Sequence, residues 1–297
     1  MKPNLFIIGA PKCGTTALAA YLSDHPNIFV CPIKEPFFFD RDLLKLYQMP
    51  EGTYGDLFRD ADPAVHRVAA EGSTSYLISS VAVPEILKFN PEAKFIVMLR
   101  NPLEMLPSYH SQQVFAGRET ITDFAAAWRL EESRKQGKNL PFRCLDPKKL
   151  FYSEWGKLGD QVERLFSRVP REKVKVILNE ELAANARKVY AEVLEFIGVP
   201  SDDRRDFPKV NENKKVIWPG LQAFSKILGT YVHNLKSKLG ITRRFGLLMR
   251  LRNFNWKVKK RDPVPEELRR ELRDFYRDDV RKLSGLLGRD LSHWLDL

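Results

Sequence analysis

NLFIIGAPKCGTT, at residues 4–16, places an apolar run of strand type directly before a short turn that carries one lysine. The run ends at Gly9, and from Thr15 onward apolar residues recur at the spacing of a helix. A strand, a glycine turn and a helix N-terminus in this order hold a phosphate group on backbone amides. We therefore predict that this turn is an anion-binding loop with Lys12 inside it.

The spacing of Gly9 and Gly14 fits the Walker A pattern, but the lysine lies elsewhere. A nucleoside triphosphatase carries Lys directly after the second glycine, where it reaches the β- and γ-phosphates. Thr15 occupies that position here, and Lys12 lies earlier in the loop. A loop of this shape suits an anion shorter than a triphosphate. A small-molecule kinase of the P-loop type, which would need ATP and magnesium, remains the alternative.

The segment Lys12–Thr16 resembles the 5′-phosphosulfate loop of sulfotransferases that use 3′-phosphoadenosine 5′-phosphosulfate (PAPS). The likeness is in particular to the carbohydrate (heparan-type) branch and its bacterial relatives, and it covers most of the chain. It implies transfer of a sulfuryl group from PAPS to an acceptor hydroxyl, with 3′,5′-ADP (PAP) as product and no metal. Lys12 would stabilise the leaving group. The residues implied to hold the 5′-phosphate are Lys12, Cys13, Gly14, Thr15 and Thr16.

A second match follows a strand predicted over 94–100. This strand is apolar almost throughout, as in a parallel sheet buried on both faces, and Arg100 stands at its carboxyl end, where ligands bind in α/β sheets. LRNP at 99–102, with Ser108 eight residues past Arg100, resembles the family's 3′-phosphate motif. The resemblance implies that Arg100 and Ser108 bind that phosphate. A structural ion pair between Arg100 and Glu71 is the alternative.

The loop IKEPFFFD, at residues 33–40, resembles the Lys-Glu-Pro segment of the carbohydrate sulfotransferases, whose glutamate is the catalytic base. The resemblance places that role on Glu35 and gives Asp40 a role in orienting the acceptor. The three phenylalanines 37–39 are expected to desolvate Glu35 in part. The family often has a histidine at the position of Phe37, so acceptor contacts are expected to differ here.

Alternatives to this assignment come from the residues themselves. Glu35 can be a surface carboxylate paired with Lys34, and His110, one helical turn from the 3′-phosphate motif, is the alternative base. EGSTSY at 71–76 occupies the place of a Glu-Lys-Ser-Pro-like segment of the family, but Gly72 replaces the lysine.

Two further matches lie towards the C-terminus. VNENKK at 210–215 resembles the family segment that folds back onto the cofactor, which implies that Lys214 or Lys215 lies near the 3′-phosphate. GRDLSHWL at 288–295 resembles the family's C-terminal signature, and we interpret its Trp294 as a packing anchor.

Length and periodicity predict the architecture. The 297 residues can form one large domain with a full core. Predicted strands lie at 4–9, 68–71, 94–100 and 173–178, and predicted helices at 15–24, 122–136, 155–168, 185–197 and 266–287. Their alternation predicts an α/β fold, a single P-loop-type domain over 1–297 with a central parallel sheet flanked by helices on both faces.

The net charge of +11 is concentrated in one segment. Residues 213–261 contain thirteen Lys or Arg and no Asp or Glu, so the rest of the chain carries −2. With its interspersed aromatic residues, this basic segment fits a lid for an acidic or bulky apolar acceptor, a contact with an anionic membrane, or a solvated basic face. Nucleic acid is not expected as a partner, because no nucleic-acid motif accompanies the charge.

Cysteine and histidine usage favours a metal-free enzyme of a reducing compartment. The three cysteines lack metal spacing, and no two of the five histidines stand at ligand spacing. The N-terminal apolar run is too short for a signal peptide. We therefore expect a cytoplasmic enzyme, with a peripheral contact to the inner membrane surface through residues 213–261. A non-catalytic protein that docks to membranes or polyanions is a second alternative.

Overall fold

The computed structural model describes residues 1–43, 49, 52–142, 144–208, 214–216, 256–258 and 263–296. The strands are β1 Leu5–Gly9, β2 Ile28–Val30, β3 Val68–Gly72, β4 Lys94–Leu99, β5 Val174–Leu178, β6 Lys214–Val216 and β7 Trp256–Val258. The helices are α1 Thr15–Ser23, α2 Ala82–Phe89, α3 Pro102–Phe115, α4 Phe124–Arg129, α5 Glu131–Lys135, α6 Tyr152–Gly156, α7 Leu158–Phe166, α8 Asn179–Ala184, α9 Ala186–Ile197 and α10 Glu266–Leu287.

Strands β1 to β5 form one parallel sheet in the order β2-β3-β1-β4-β5, and β6 and β7 form a separate antiparallel pair. Every residue of β1 is buried, and so are Phe95–Leu99 of β4, because helices cover the sheet. The connection from β1 to β2 runs to one side of the sheet and that from β4 to β5 to the other. Right-handed crossovers therefore place helices on both faces, and the predicted α/β fold is confirmed.

The chain turns in opposite directions after β1 and β4, which are neighbours. Gly9 is in register with Met98, so the loop 10–14 and Arg100 emerge side by side at the carboxyl edge of the sheet. A crevice opens in an α/β sheet at such a reversal of strand order, and ligands bind there. The topology thus brings the two predicted phosphate sites together.

Gly9 is needed where β1 ends. Its φ is 143°, and a Cβ atom there would lie 2.3 Å from the carbonyl oxygen of Met98. The next amide, of Ala10, donates a hydrogen bond of 3.2 Å to that same oxygen. A side chain at this position would push β1 and β4 apart at the start of the anion-binding loop.

Several elements differ from the sequence-based predictions. Strand β2 and helix α2 have no counterpart among the predicted elements. The helix predicted over 155–168 is divided between α6 and α7, because the Asp279 carboxylate of α10 accepts hydrogen bonds from the amides of Gly159 and Asp160 and caps α7. The residues described include no helix with the length and apolarity that crossing a membrane requires.

We expect Gly9→Ala to lower the free energy of unfolding by about 3 kcal/mol, since the methyl group must displace backbone atoms. Urea denaturation would measure this. Gly52→Ala is the matched control, because Gly52 also has a positive φ, 93°, but no atom within 4 Å of its Cβ position. Equal losses in both variants would show that the contact with Met98 is unimportant.

Candidate active site

The loop after β1 presents backbone amides and a lysine at the start of α1. Gly14, with φ 96°, precedes α1 and has no side chain to cap it. The first N–H groups of the helix therefore face the loop, where an anion can accept from them. Lys12 adopts φ 65°, which is uncommon for a residue with a Cβ atom. Such backbone conformations cluster at functional sites, so this loop fits the predicted phosphate-binding role.

Arg100 lies beside the loop at the end of β4. Its guanidinium donates to Glu104 at 2.8 Å, and its charge acts on the Cys13 thiol, although burial dominates and raises the pKa of Cys13. The alternative partner Glu71 is engaged elsewhere, by Ser73 and Tyr54. Ser108 is buried on α3, the helix that follows Arg100. Arg100 is therefore at the loop, and the alternative of a pair with Glu71 is not formed.

Glu35 reaches the same edge of the sheet from the loop after β2. Its carboxylate accepts a hydrogen bond of 3.2 Å from Thr74 Oγ1 and is 3.8 Å from Lys34 Nζ. Lys34 Nζ also donates to the hydroxyl of Thr16 in α1. Lys34 thus links the anion-binding loop to Glu35. The pair of Lys34 with Glu35, named above as an alternative, is therefore present, whereas nothing in the sequence indicated the contact between Lys34 and Thr16.

A cavity of about 190 Å³ joins these elements. Pro11 of the anion-binding loop and Glu35 both line it. The remaining wall combines aromatic and cationic groups, with a few polar ones. The aromatic members are Phe37, Tyr109 and Trp155, and the cationic members are Arg118, Lys148 and Lys149. The sequence analysis did not identify these three cations, because they come from segments that no motif marks.

Of the phenylalanines near Glu35, Phe37 lines the cavity, whereas Phe38 and Phe39 turn towards the core. Phe38 stacks on Tyr54 with ring centroids 4.4 Å apart, and Phe39 is buried against Phe6. Of the three rings expected to desolvate Glu35, that of Phe37 is therefore the one placed to do so.

Two predicted catalytic residues lie outside the cavity wall. His110 is buried, with its Nε2 2.8 Å from the carbonyl oxygen of Ile121, and burial lowers its pKa. It packs against Phe124 and Tyr152, because this face of α3 points into the core. Asp40 is fully buried and accepts from the Ser75 hydroxyl, behind the wall to which Ser75 contributes. Neither Asp40 nor His110 lines the cavity, so neither is placed to contact an acceptor there, contrary to the roles expected from the sequence.

Two buried carboxyl groups lie beneath the site. Glu71, near the end of β3, accepts a hydrogen bond of 2.8 Å from Ser73 and another from the Tyr54 hydroxyl. Burial raises the pKa of Glu71 to about 7 and that of Asp40 to about 6. The sequence analysis considered Glu71 as a partner for Arg100 and did not foresee this network, since Tyr54 belongs to a segment without a motif.

The remaining predictions fall at the C-terminal part of the chain. The backbone of Lys214 and Lys215 forms β6, which comes within 8 Å of α3 in Cα positions. The side chains of both lysines, and most of residues 213–261, lie outside the described residues. Trp294 is buried and donates to Glu180 at 2.8 Å, as a packing anchor does. Within the described ranges, no cluster of His, Cys, Asp or Glu could hold a metal ion.

Comparisons with known proteins agree with this fold. A family model described as "Sulfotransferase domain" matches residues 2–217, and the chain belongs to that family. A mouse relative, bifunctional heparan sulfate N-deacetylase/N-sulfotransferase 3, is 26% identical over 310 aligned positions, which cover 99% of this chain and 31% of the relative. Mouse carbohydrate sulfotransferase 15 is 32% identical over 162 positions, covering 41% of this chain and 28% of the relative.

A crystal structure of a sulfotransferase from Alicyclobacillus acidocaldarius superimposes with a TM-score of 0.72 at 28% identity, and each chain is covered completely. This chain spans about a third of the length of the two curated relatives, 31% and 28%. Family membership and the shared fold confirm the resemblance to sulfotransferases that was drawn from the anion-binding loop.

The buried carboxyl groups make stability depend on pH. The pKa of Glu71 is raised from 4.5 to about 7, so the folded protein holds a proton that the unfolded chain releases between these values. Stability from this group is fully present below about pH 4.5 and is lost as pH rises through about 7. Asp40, whose pKa is raised from 3.8 to about 6, acts in the same direction at lower pH.

We expect the melting temperature to rise by roughly 2 °C when pH falls from about 7.5 to about 6, which corresponds to about 1 kcal/mol. Glu71→Gln should lose most of this rise. The titratable groups that face Glu71 are Tyr54, Tyr76, Asp40 and Cys31, and of these Asp40 titrates in the same pH range. An unchanged pH response in the variant would contradict the assignment to Glu71.

Proposed function

We propose that the protein transfers a sulfuryl group from PAPS to a hydroxyl or amino group of a glycan acceptor, with Glu35 as the general base. The observation that carries this proposal is the shared cavity: Pro11, next to Lys12 in the anion-binding loop, and Glu35 line the same space. An acceptor in that space meets a base on one side and the donor site on the other.

The residues at the carboxyl edge fit the two anionic groups of PAPS. The loop amides and Lys12 would hold the 5′-phosphosulfate, and the absence of a Cβ at Gly14 leaves the turn open beside Asn179, whose Nδ2 would be 3.1 Å from such an atom. Arg100 and Ser108 would hold the 3′-phosphate. PAPS supplies an electrophilic sulfur joined to a phosphate leaving group.

The chain's own residues then do three things. Glu35 takes the proton from the acceptor hydroxyl or amine as its oxygen or nitrogen bonds to sulfur. Lys12 and the N-terminus of α1 stabilise the charge that the phosphate keeps when its bond to sulfur breaks. Lys34, held between Thr16 and Glu35, adds a second cation near the transferred group.

A glycan acceptor is supported by the relatives. The two curated relatives carry heparan sulfate and carbohydrate in their names. A small-molecule kinase is the competing function, and the position of Lys12 counts against it because a triphosphate needs the lysine after Gly14.

Nucleotide binding separates these functions. We expect PAP to raise the melting temperature of the parent protein, whereas ATP with magnesium does not. Lys12→Ala should weaken PAP binding by roughly 10- to 100-fold, the cost of one charge-assisted contact to phosphate. Lys88→Ala, which removes an exposed lysine of α2, is the control. Tight binding of magnesium ATP together with indifference to PAP would overturn the proposal.

The base is tested by Glu35→Gln. We expect kcat to fall roughly 100- to 10,000-fold, since the amide cannot accept the proton, while PAP binding is retained. Sulfate transfer from radiolabelled PAPS would be measured on heparosan, which offers hydroxyl groups, and on its de-N-acetylated form, which also offers amines. Glu85→Gln, on the exposed side of α2, serves as control. Full activity of Glu35→Gln would exclude this role.

A further inference from the structure

We infer that Glu71 and Tyr76 are positioning residues that hold the base loop, residues 35–39, and thereby set the place of Glu35. The inference rests on the proposed function, because it assigns a purpose to the loop that carries the base. Neither residue lines the cavity, so neither is expected to touch the acceptor.

The backbone of the base loop is attached to the segment 71–76 at every amide it has. Glu35 N–H donates to the carbonyl oxygen of Gly72 at 3.1 Å. The amides of Phe38 and Phe39 both donate to the hydroxyl oxygen of Tyr76, at 3.0 and 3.3 Å, and Phe37 N–H is 3.5 Å from Ser73 Oγ. Position 36 is proline and has no N–H.

Glu71 decides which way these hydrogen bonds run. A hydroxyl group has one proton, and a hydroxyl that donates it leaves its oxygen free to accept. Ser73 Oγ donates to Glu71 Oε1 at 2.8 Å, so its oxygen can accept from the Phe37 amide. The Glu71 carboxylate also lies near the Tyr76 hydroxyl, and burial together with this negative charge raises the pKa of Tyr76. A negative charge there draws the hydroxyl proton towards it, which leaves the oxygen to accept from the amides of Phe38 and Phe39. A single buried carboxyl group thus acts on both hydroxyls that anchor three consecutive residues.

The base loop needs such anchoring because its backbone is strained. Glu35 and Phe37 have φ angles of 56° and 52°, in the left-handed region that residues with a Cβ atom avoid. Such a conformation persists only when surrounding contacts fix it. Without the hydroxyl anchors, the backbone would relax to negative φ, and the Glu35 side chain would leave the cavity wall.

Two variants remove the anchors separately. Tyr76→Phe deletes the hydroxyl oxygen that accepts from Phe38 and Phe39 and keeps the ring in the core. Glu71→Gln keeps the size of the side chain but removes its charge and replaces one acceptor oxygen by a donor, so the Ser73 and Tyr76 hydroxyls lose the negative charge that orients their protons away from the loop amides. Tyr276→Phe is the matched control: Tyr276 is equally buried, its hydroxyl donates to Ser153 O at 3.1 Å, and it lies on α10, away from the base loop.

Hydrogen–deuterium exchange of a peptide covering residues 35–40 measures how firmly the amides of the base loop are held, and it needs no acceptor. We expect its amides to exchange at least about tenfold faster in Tyr76→Phe and Glu71→Gln, and at the parent rate in Tyr276→Phe. In the transfer assay, kcat should fall roughly 10- to 100-fold, as for a displaced base, with the Kd of PAP within about twofold of the parent.

The outcomes separate this inference from the proposed function. Parent-like exchange and parent-like kcat in both variants would overturn the positioning role, even if Glu35→Gln is inactive. Faster exchange with lower kcat and intact PAP binding would support it. If the protein binds no PAP, the proposed function fails by itself, while faster exchange still demonstrates the anchoring. Should Glu71→Gln fold poorly, Tyr76→Phe decides, since it leaves no buried donor unpaired except the two loop amides.

Discussion

The close approach of β1 and β4 at Gly9 is the constraint on which the site depends. Since Gly9 has no side chain, the backbone can pass against the carbonyl of Met98, and the chain enters the anion-binding loop directly above the strand that ends at Arg100. Parallel pairing then delivers β3 and its following turn to the same edge. Residues far apart in the sequence become neighbours because three strands end together.

At Glu71, burial and the surrounding hydrogen bonds favour opposite protonation states. Burial favours the protonated carboxyl group, which is why its pKa is raised. The hydroxyls of Ser73 and Tyr54, by contrast, donate to its two oxygens and favour the charged form. The fold therefore keeps a carboxylate in an environment that disfavours its charge, as proteins often do where a loop near the chemistry must be held in one conformation.

Local sequence sufficed where one segment defines the geometry. The loop between Gly9 and Thr15 and the strand before Arg100 could be predicted because strand, turn and helix start follow each other without interruption. Residues whose surroundings come from distant segments could not be predicted. His110 was a candidate base because of its spacing, but the packing of α3 turns it to Phe124 and Tyr152. The capping of α7 by Asp279 likewise depends on a helix more than a hundred residues away.

The ion pair of Arg100 with Glu104 has a consequence for how a nucleotide enters. Glu104 stands in the first turn of α3, where a carboxylate is favoured by the helix dipole, and its Oε2 accepts from both Nε and Nη2 of the guanidinium. A 3′-phosphate would replace this carboxylate, so one anion is exchanged for another at a cation that is already neutralised. Binding of the nucleotide should therefore depend less on ionic strength than the number of cations around the site suggests.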